Sequence, residues 1–223
     1  EDELVQCCQG EPQHPVMKEL GQTIREYSIP EEYFQELIAG CRMDVEKSRY
    51  QSFEELKTYC YRVASSVGLI CLPIFGCEGA QAEEYAIRLG LALQMTNILR
   101  DVGTDARRGR IYLPLEDLER FHYQEKHLLQ GRYSESFTEL MRFEAQRTEQ
   151  IYQMAAACLP EKQRKQLIAA RIMGTTYHAL LKKIIHSEYR VFGSKIHLSK
   201  TYKLFLALVT WLGLEERSYA SSR

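Results

Sequence analysis

The sequence lacks several features that would place it in other classes of protein. None of its 223 residues lies in an uninterrupted apolar run of about 18 positions, so a membrane-spanning helix is not expected. It has 29 basic and 30 acidic residues, a net charge of −1, and this lack of a basic excess argues against a nucleic-acid partner. No C-x-x-C pair and no G-x-G-x-x-G segment occur, which argues against zinc or redox sites and against a dinucleotide-binding fold.

Glycine and proline are also scarce, with 13 and 6 residues. They separate long segments of helical periodicity, and no alternating strand pattern occurs between them. We therefore predict an all-α, single-domain fold over residues 1–223. The predicted helices are residues 16–27, 29–44, 52–72, 80–102, 115–118, 125–129, 134–158, 161–187 and 198–214.

Local signals place several helix ends. Ser52 and Glu55 form the pattern of a capping box. For the helix before this one, Ser28 or Ile29 is predicted near the N-terminal cap, with Pro30 in the first turn. Pro73 is expected to interrupt the helix that begins at Ser52.

The cysteines and the first residues bear on the compartment. Several of the seven cysteines lie in apolar helical stretches, where free thiols behave as small hydrophobic groups. We expect reduced thiols in a cytoplasmic protein. The chain begins at Glu1 without a charged-then-apolar leader, so we expect no secretory signal and a processed or trimmed chain.

The most informative segment is residues 91–105. On a helix, Asn97, Asp101 and Asp105 recur every four positions and share one face, with Gln94 in the same arc. Two carboxylates and an amide oxygen then project beside apolar neighbours. Such oxygen ligands suit Mg²⁺, which shares its remaining positions with waters and substrate phosphates. A solvated polar face is the alternative interpretation.

Three arginines follow within four residues: Arg107, Arg108 and Arg110. Alone they would indicate only a solvated run of charge. One turn beyond a row of carboxylates, their forked donors suit diphosphate oxygens. Metal ions and arginines together stabilise a departing diphosphate, and the combination is more specific than either part.

Two stretches resemble the signatures of the squalene/phytoene synthase family. Residues 97–114, NILRDVGTDARRGRIYLP, are similar to its second aspartate-rich motif, and residues 59–68, YCYRVASSVG, to its other signature. Shorter matches to bacterial members lie at residues 10–16 and 41–44. A weaker resemblance runs from residue 171 to the C terminus, so the resemblance covers essentially the whole chain.

The resemblance implies an isoprenoid-synthase-type helical bundle around a central cavity. In it, Asn97, Asp101 and Asp105 would hold Mg²⁺ against a substrate diphosphate. The implied substrate-binding candidates are Arg100, Arg107, Arg108, Arg110, Gln94 and Tyr177. Arg100 could instead pair locally.

The implied catalytic residues are Tyr59, Asp44, Asp101 and Asp105. Tyr59 would lie near the reacting carbons, where a phenol stabilises a carbocation or assists proton removal; a core tyrosine with a satisfied hydroxyl is the alternative. Asp44 would orient water or Tyr59, or else be a surface aspartate at a helix end. Four apolar residues would either line the isoprenoid cavity or belong to the hydrophobic core: Val63, Val67, Leu93 and Ile98.

The family's first aspartate-rich motif, D-x-x-x-D on a facing helix, is not found in the sequence. Glu1, Asp2 and Glu3 do not reproduce it, and the family's N-terminal basic-serine segment is absent too. We therefore expect an N-terminally incomplete domain, and expect residues 1–223 alone to show no Mg²⁺-dependent diphosphate release.

The resemblance implies a bacterial prenyltransferase that condenses two prenyl diphosphates head to head. Farnesyl diphosphate is slightly favoured over geranylgeranyl diphosphate, and the products would be presqualene diphosphate, squalene or phytoene. Besides Mg²⁺, NADPH is expected only if the product is squalene. The alternatives are a prenyl diphosphate phosphatase, a non-catalytic assembly factor of the same fold, and a plain helical interaction module.

The last predicted helix, residues 198–214, is strongly apolar and contains Trp211, the only tryptophan. It could pack on the body of the protein or dip into a membrane surface, and packing is favoured for one helix of an all-α domain. Peripheral membrane contact therefore stays open, and the sequence does not predict an oligomeric state.

Overall fold

A computed structural model describes residues 2–10, 13–193 and 195–214, and within these ranges it contains helices and turns but no β-strand. The all-α prediction is confirmed. The α-helices are α1 (Asp2–Gln9), α2 (Pro15–Tyr27), α3 (Glu31–Glu46), α4 (Phe53–Cys60), α5 (Ser66–Ile74), α6 (Ala80–Arg107), α7 (Leu115–Arg120), α8 (Glu125–Leu129), α9 (Glu135–Cys158), α10 (Ile168–His186) and α11 (Lys200–Trp211). None of these helices has the length and hydropathy needed to cross a membrane.

Serine caps fix the starts of three helices. The Ser52 hydroxyl accepts a hydrogen bond from the Glu55 N–H at 3.3 Å. The Glu55 carboxylate accepts in return from the Gln51 N–H at 2.6 Å, one residue before the position that a capping box would use. Ser134 and Ser199 cap α9 and α11 with the same hydroxyl geometry. The sequence therefore predicted the serine cap correctly. The return hydrogen bond to the Glu55 carboxylate comes from Gln51 and not from Ser52.

Two predicted boundaries, at serine and at proline, differ from the observed ones by about two residues. Ser28 has a left-handed backbone, with φ of 51°, and ends α2 instead of starting α3, which begins after Pro30. Pro73 lies inside the last turn of α5, which continues to Ile74. Pro73 has no N–H to donate to the preceding turn, and the helix ends one residue after it.

Two longer segments also differ from the prediction. The segment predicted to be helical from residue 161 begins with a 3₁₀ turn at Glu161–Gln163, and α10 starts only at Ile168. Conversely, α6 is longer than predicted, because it extends beyond Val102 and ends at Arg107. The helix continues through Gly103, where a Cβ would lie 2.4 Å from the main-chain oxygen of Val191. The glycine serves close packing inside a continuing helix.

A π-helical turn, Tyr61–Ser65, joins α4 to α5 and makes one continuous helix of the three. Two glycines of neighbouring helices let the backbones approach this wide turn. A Cβ at Gly40 of α3 would lie 2.6 Å from Val63, and one at Gly90 of α6 would lie 2.6 Å from the Cα of Ser65. Single π turns in helices recur at functional sites, and this one directly follows Tyr59.

The core is organised around α6, which contacts α5, α9, α10 and the π turn. Its fully buried residues include Ala92, Met95 and Leu99. A smaller apolar cluster joins α1 to α2 through Leu4, Cys7 and Ile24, and the six cysteines whose side chains are described are free thiols. Because α6 is enclosed by other helices, the polar side chains on its remaining face are held on a rigid support.

Candidate active site

Asn97, Asp101 and Asp105 lie along one face of α6, and all three are partly buried. We call these three residues the acidic ladder. The side-chain amide of Asn97 donates to the Gln94 carbonyl oxygen at 3.4 Å, so Gln94 adjoins the ladder as its position in the sequence predicted. The structure therefore brings these four predicted site residues together.

Asp101 is held by two cations. Arg100 Nε donates to one carboxylate oxygen at 3.0 Å, and its Nη2 donates to the other. Lys195 Nζ lies 3.0 Å from Asp101 Oδ1. Burial opposes the charged form of Asp101, but the hydrogen bonds from Arg100 and Lys195 outweigh burial and lower its pKa. Asp101 is therefore a carboxylate at neutral pH, and the local pairing left open for Arg100 is observed.

Asp105 has the opposite electrostatic environment. Burial and the nearby charge of Asp101 raise its pKa from 3.8 to about 6, although Arg108, Arg110 and Lys195 act in the lowering direction. Two carboxylates on one helix face thus titrate at different pH because only Asp101 has direct cationic partners. A cation placed between them would relieve their repulsion.

The donors of the ladder suit Mg²⁺, although they fill only part of its coordination shell. Among the described residues no three His, Cys, Asp or Glu side chains converge on a metal position. Two carboxylates and one amide oxygen are hard ligands, and Mg²⁺ commonly binds through one or two carboxylates while waters and phosphate oxygens complete its shell. The ladder fits a Mg²⁺ ion shared with a diphosphate.

A second polar cluster surrounds Asp44, at the C-terminal end of α3. The Tyr59 hydroxyl donates to Asp44 Oδ2 at 3.1 Å, and the Tyr112 hydroxyl donates to Oδ1 at 2.7 Å. The rings of Tyr50, Tyr59 and Tyr112 lie 5.3 to 5.7 Å apart. The Tyr50 hydroxyl is buried and has no hydrogen-bond partner among the described residues. Asp44 thus accepts hydrogen bonds from two phenols, Tyr59 and Tyr112.

Burial raises the pKa of Tyr59, and the neighbouring Tyr112 and Asp44 raise it further. Burial also raises the pKa of Tyr50. A phenolate would lie beside the Asp44 carboxylate in a poorly hydrated environment, which is unfavourable. Tyr59 is therefore a neutral phenol throughout the physiological pH range.

Arg110 joins the two clusters. It donates to the main-chain oxygen of Asp44 and, at 3.2 Å, to the Tyr112 hydroxyl. Its charge also acts on Asp105. Arg110, Tyr112 and Asp105 line a narrow cavity of about 10 Å³, with Ile98 among its apolar residues. Arg110 and Tyr112 therefore link the Asp44 cluster to the Asp105 end of the ladder.

The other predicted substrate-binding residues lie around this site in different orientations. Arg108 is exposed next to Asp105. Arg107 turns to the connection between α10 and α11, where it donates to the main-chain oxygen of Phe192 at 3.4 Å. Tyr177 of α10 lies near Arg100 and, after Asp101, helps to raise the pKa of that guanidinium. The contacts of Arg107 are thus with Phe192 and with Thr104, to whose hydroxyl it donates at 3.3 Å.

An apolar groove of about 120 Å³ lies between α5, α6 and α10. Val67 and Leu93, two of the four predicted wall residues, line it. Val63 instead packs against Gly40 of α3. Leu93 lies one helical turn before Asn97 on the same face of α6, so the groove leads directly to the acidic ladder.

The sequence did not single out two residues of this site. Tyr112 lies inside the matched motif, two positions after Arg110. In an extended segment, residues two apart point to the same side, so this spacing could have indicated that Tyr112 belongs to the site. Lys195 is 94 positions from Asp101, and nothing in the local pattern connects the two. The bend between α10 and α11 brings Lys195 to the ladder, where Gly103 receives the Val191 backbone.

The comparisons with known proteins agree with this fold and site. The model of the squalene/phytoene synthase family matches residues 1–202. The phytoene synthase of Arthrospira platensis is 40% identical over 93% of this chain and 71% of its own length, and the 15-cis-phytoene synthase of Synechocystis is 39% identical over 91% and 64%. The chain therefore belongs to the squalene/phytoene synthase family, a family of prenyltransferases that join prenyl diphosphates head to head.

Solved structures agree as well. A dehydrosqualene synthase in complex with ligand superposes with a TM-score of 0.84 at 29% identity, covering 96% of this chain and 76% of that one. The squalene synthase HpnC from Alicyclobacillus acidocaldarius gives a TM-score of 0.76 at 29% identity, covering 84% and 72%. The chain thus spans about two thirds to three quarters of these relatives.

Proposed function

We propose that this protein condenses two prenyl diphosphates head to head, with Mg²⁺ bound at the acidic ladder. The observation that carries the proposal is the single face of α6, on which an apolar groove passes into the ladder. The groove suits an isoprenoid tail, and the ladder suits the diphosphate at its head.

In the proposed reaction, Asn97, Asp101 and Asp105 hold the metal, which supplies positive charge to the departing diphosphate. Arg108 is exposed beside Asp105 and is placed to contact the diphosphate oxygens. Arg100 keeps Asp101 ionised through its hydrogen bonds to that carboxylate. The groove between α5, α6 and α10 keeps water away from the allylic cation that remains.

Tyr59 and Asp44 have the proposed proton-transfer role. The second prenyl chain attacks the cation through its double bond, and loss of a proton closes a cyclopropane ring. The Tyr59 oxygen can accept that proton while its own hydroxyl proton passes to Asp44 Oδ2, at 3.1 Å. Tyr112 and Arg110 fix the other side of Asp44, so the acceptor carboxylate keeps its orientation.

The chain length of the substrate separates two candidates. The motifs that resemble bacterial members favour farnesyl diphosphate and a C30 product. The printed names of the two cyanobacterial relatives, at 39% and 40% identity, favour geranylgeranyl diphosphate and phytoene as the second candidate. NADPH is part of the proposal only for squalene, and peripheral contact with a membrane is part of it because substrates and products carry long apolar chains.

The test is a coupled-product assay on the protein expressed from its complete native open reading frame. Each diphosphate is supplied with and without Mg²⁺ and NADPH, and the products are identified by mass, with Asp101→Ala as the control. A C30 or C40 hydrocarbon or cyclopropyl diphosphate that disappears without Mg²⁺ and in the variant supports the proposal. Prenyl alcohol as the only product would instead indicate a phosphatase, and no product would favour the assembly factor.

A further inference from the structure

We propose that the hydroxyl of Tyr50 assists proton transfer by donating a hydrogen bond to the Tyr59 oxygen while Tyr59 passes its own proton to Asp44. Tyr50 is then a positioning residue that acts through Tyr59. This inference rests on the proposed function, because it concerns the step that closes the cyclopropane ring. It adds a residue that lies outside both matched motifs, residues 59–68 and 97–114.

Tyr50 lies in the connection between α3 and α4, where contacts on two sides fix it. Its main-chain oxygen accepts a hydrogen bond from the N–H of Leu115 at 2.9 Å. Its ring is stacked on that of Tyr112, with the centroids 5.7 Å apart and an angle of 19° between the planes. The ring of Tyr59 lies 5.3 Å away. Tyr50 is therefore a packed member of the cluster around Asp44.

The hydroxyl of Tyr50 is costly in the resting structure. The residue is 1% exposed, and its hydroxyl oxygen is buried without a hydrogen-bond partner in the described part of the chain. An unpaired buried hydroxyl costs free energy, and phenylalanine would keep the same ring contacts without that cost. An unpaired group of this kind in a folded protein calls for an explanation, and a catalytic role is one that applies here.

A more distant segment does not provide the missing partner. Atoms of the described residues already enclose this hydroxyl and leave it almost no surface in contact with solvent. A polar atom from a further part of a longer protein would have to lie where a solvent molecule could touch the oxygen, and the packing leaves no such position. The partner therefore comes from within the cluster.

Charge develops inside the cluster during the proposed proton transfer. In the resting structure, Tyr59 and Tyr112 both donate to the Asp44 carboxylate, at 3.1 and 2.7 Å. When Tyr59 gives its proton to Asp44, negative charge develops on the Tyr59 oxygen until the substrate proton arrives. Burial, Tyr112 and Asp44 all raise the pKa of Tyr59, so this charge is the unfavourable part of the step. A hydrogen bond to the Tyr59 oxygen lowers that cost.

The hydroxyl of Tyr50 can supply this hydrogen bond. Burial, and after it Tyr112 and Asp44, raise the pKa of Tyr50 as well, so its hydroxyl keeps its proton and faces the same groups as that of Tyr59. The pairing requires a shift of the two side chains, because their hydroxyls are not hydrogen-bonded at rest. A donor that is unpaired at rest and paired as charge develops lowers the barrier without stabilising the ground state. Tyr50 keeps its own proton throughout, while the Tyr59 proton passes to Asp44 and the substrate proton passes to Tyr59.

The test is Tyr50→Phe in the protein expressed from its complete native open reading frame. Its kcat should fall about tenfold with an unchanged KM, which is less than the loss of about 10²–10³ for an oxyanion-hole donor because the charge on Tyr59 is only partial. Its melting temperature should equal that of the parent or exceed it, since the substitution removes an unpaired buried group.

The matched control is Tyr123→Phe. Tyr123 is 3% exposed, and its hydroxyl donates to the main-chain oxygen of Arg132 at 2.6 Å. It lies in the connection between α7 and α8. Loss of this satisfied hydrogen bond should lower the melting temperature and leave kcat unchanged, which is the opposite of the result expected for Tyr50→Phe.

An isotope effect identifies the step that Tyr50 assists. Ring closure removes a proton from C1 of the prenyl donor, so the parent and both variants are assayed with substrate deuterated at C1. We expect kcat of Tyr50→Phe to fall about twofold or more with the deuterated substrate, because proton transfer then limits turnover. A purely structural change would not slow this step selectively.

Three results with an active parent would overturn the inference. They are a kcat of Tyr50→Phe within twofold of the parent, a melting temperature that falls as far as in Tyr123→Phe, and no deuterium effect in Tyr50→Phe. The second would assign the hydroxyl to structural pairing within the core. A parent protein that forms no coupled product would refute the proposed function, and this inference with it, before any variant is compared.

Discussion

The ionised form of Asp105, which would bind metal, lowers the stability of the folded protein. Replacing Asp105 with asparagine should reveal this penalty. Its folded-state pKa is about 6 against an ordinary value of 3.8. Between these two values the folded chain binds more protons than the unfolded chain, so stability falls as pH rises from about 4 to about 6 and stays lower above that. Asparagine is neutral at every pH and nearly the same shape, so it removes this penalty.

The size of the effect follows from the pKa difference. A difference of about 2 pKa units corresponds to about 3 kcal/mol at neutral pH, since each unit is about 1.4 kcal/mol. Asp105 is only partly buried, and solvent screening reduces the figure. We expect Asp105→Asn to raise the free energy of unfolding by about 1–3 kcal/mol at pH 7.5, and by almost nothing at pH 4.

The assay is urea unfolding at several pH values in a buffer that contains a metal chelator. Asp101→Asn is the matched control from the same helix face, and its effect should have the opposite sign. Because Arg100 and Lys195 lower the pKa of Asp101, its charge stabilises the folded protein at pH 7.5, and asparagine should remove that contribution. Equal stability of the parent and Asp105→Asn at pH 7.5, or a gain that persists at pH 4, would refute the reasoning.

Three further substitutions test the rest of the site. Tyr59→Phe should lower kcat by about 100-fold, the lower range for a lost proton-transfer group, with an unchanged affinity for Mg²⁺; a rate within twofold of the parent would exclude a proton role for the hydroxyl. Lys195→Met frees Asp101 from an exposed ion pair worth up to about 1 kcal/mol. Mn²⁺ should therefore bind about fivefold more tightly in a paramagnetic-resonance titration. Unchanged or weaker binding would contradict a competition between Lys195 and the metal for Asp101. Gly103→Ala places a Cβ 2.4 Å from a main-chain oxygen and should cost about 1–3 kcal/mol of stability in thermal unfolding, whereas Gly193→Ala, with open space around its Cβ, should cost little. Equal losses in the two glycine variants would rule out the steric explanation.

Local sequence signals predicted most of the helices. Sparse glycine and proline and a 3.6-residue periodicity indicated an all-α fold, and Ser52 marked a helix start because its hydroxyl can satisfy a free N–H at that end. The acidic ladder was predicted from spacing alone, since residues four apart on a helix share a face whatever the rest of the chain does. These features depend only on the residues nearby in sequence.

Local signals failed where packing decided the outcome. The helix predicted to end at Val102 continues as α6 to Arg107, and the Val191 backbone occupies the space that a side chain at Gly103 would need. The π turn after Tyr59 left no pattern in the sequence. Residues 161–167 have a periodicity compatible with helix, yet α10 begins only at Ile168.

The sequence by itself determined the helical class, the family resemblance and the line of oxygen ligands on α6, because each is set by residue types at short, fixed spacings. Only the tertiary structure decided that Lys195 neutralises Asp101, that Tyr112 shares Asp44 with Tyr59, and that α11 presents an apolar face outward. These relations join residues between 15 and 94 positions apart or depend on which side of a helix is covered. Electrostatic and burial effects act over distances in space, so the path of the chain fixes them and the order of residues alone does not.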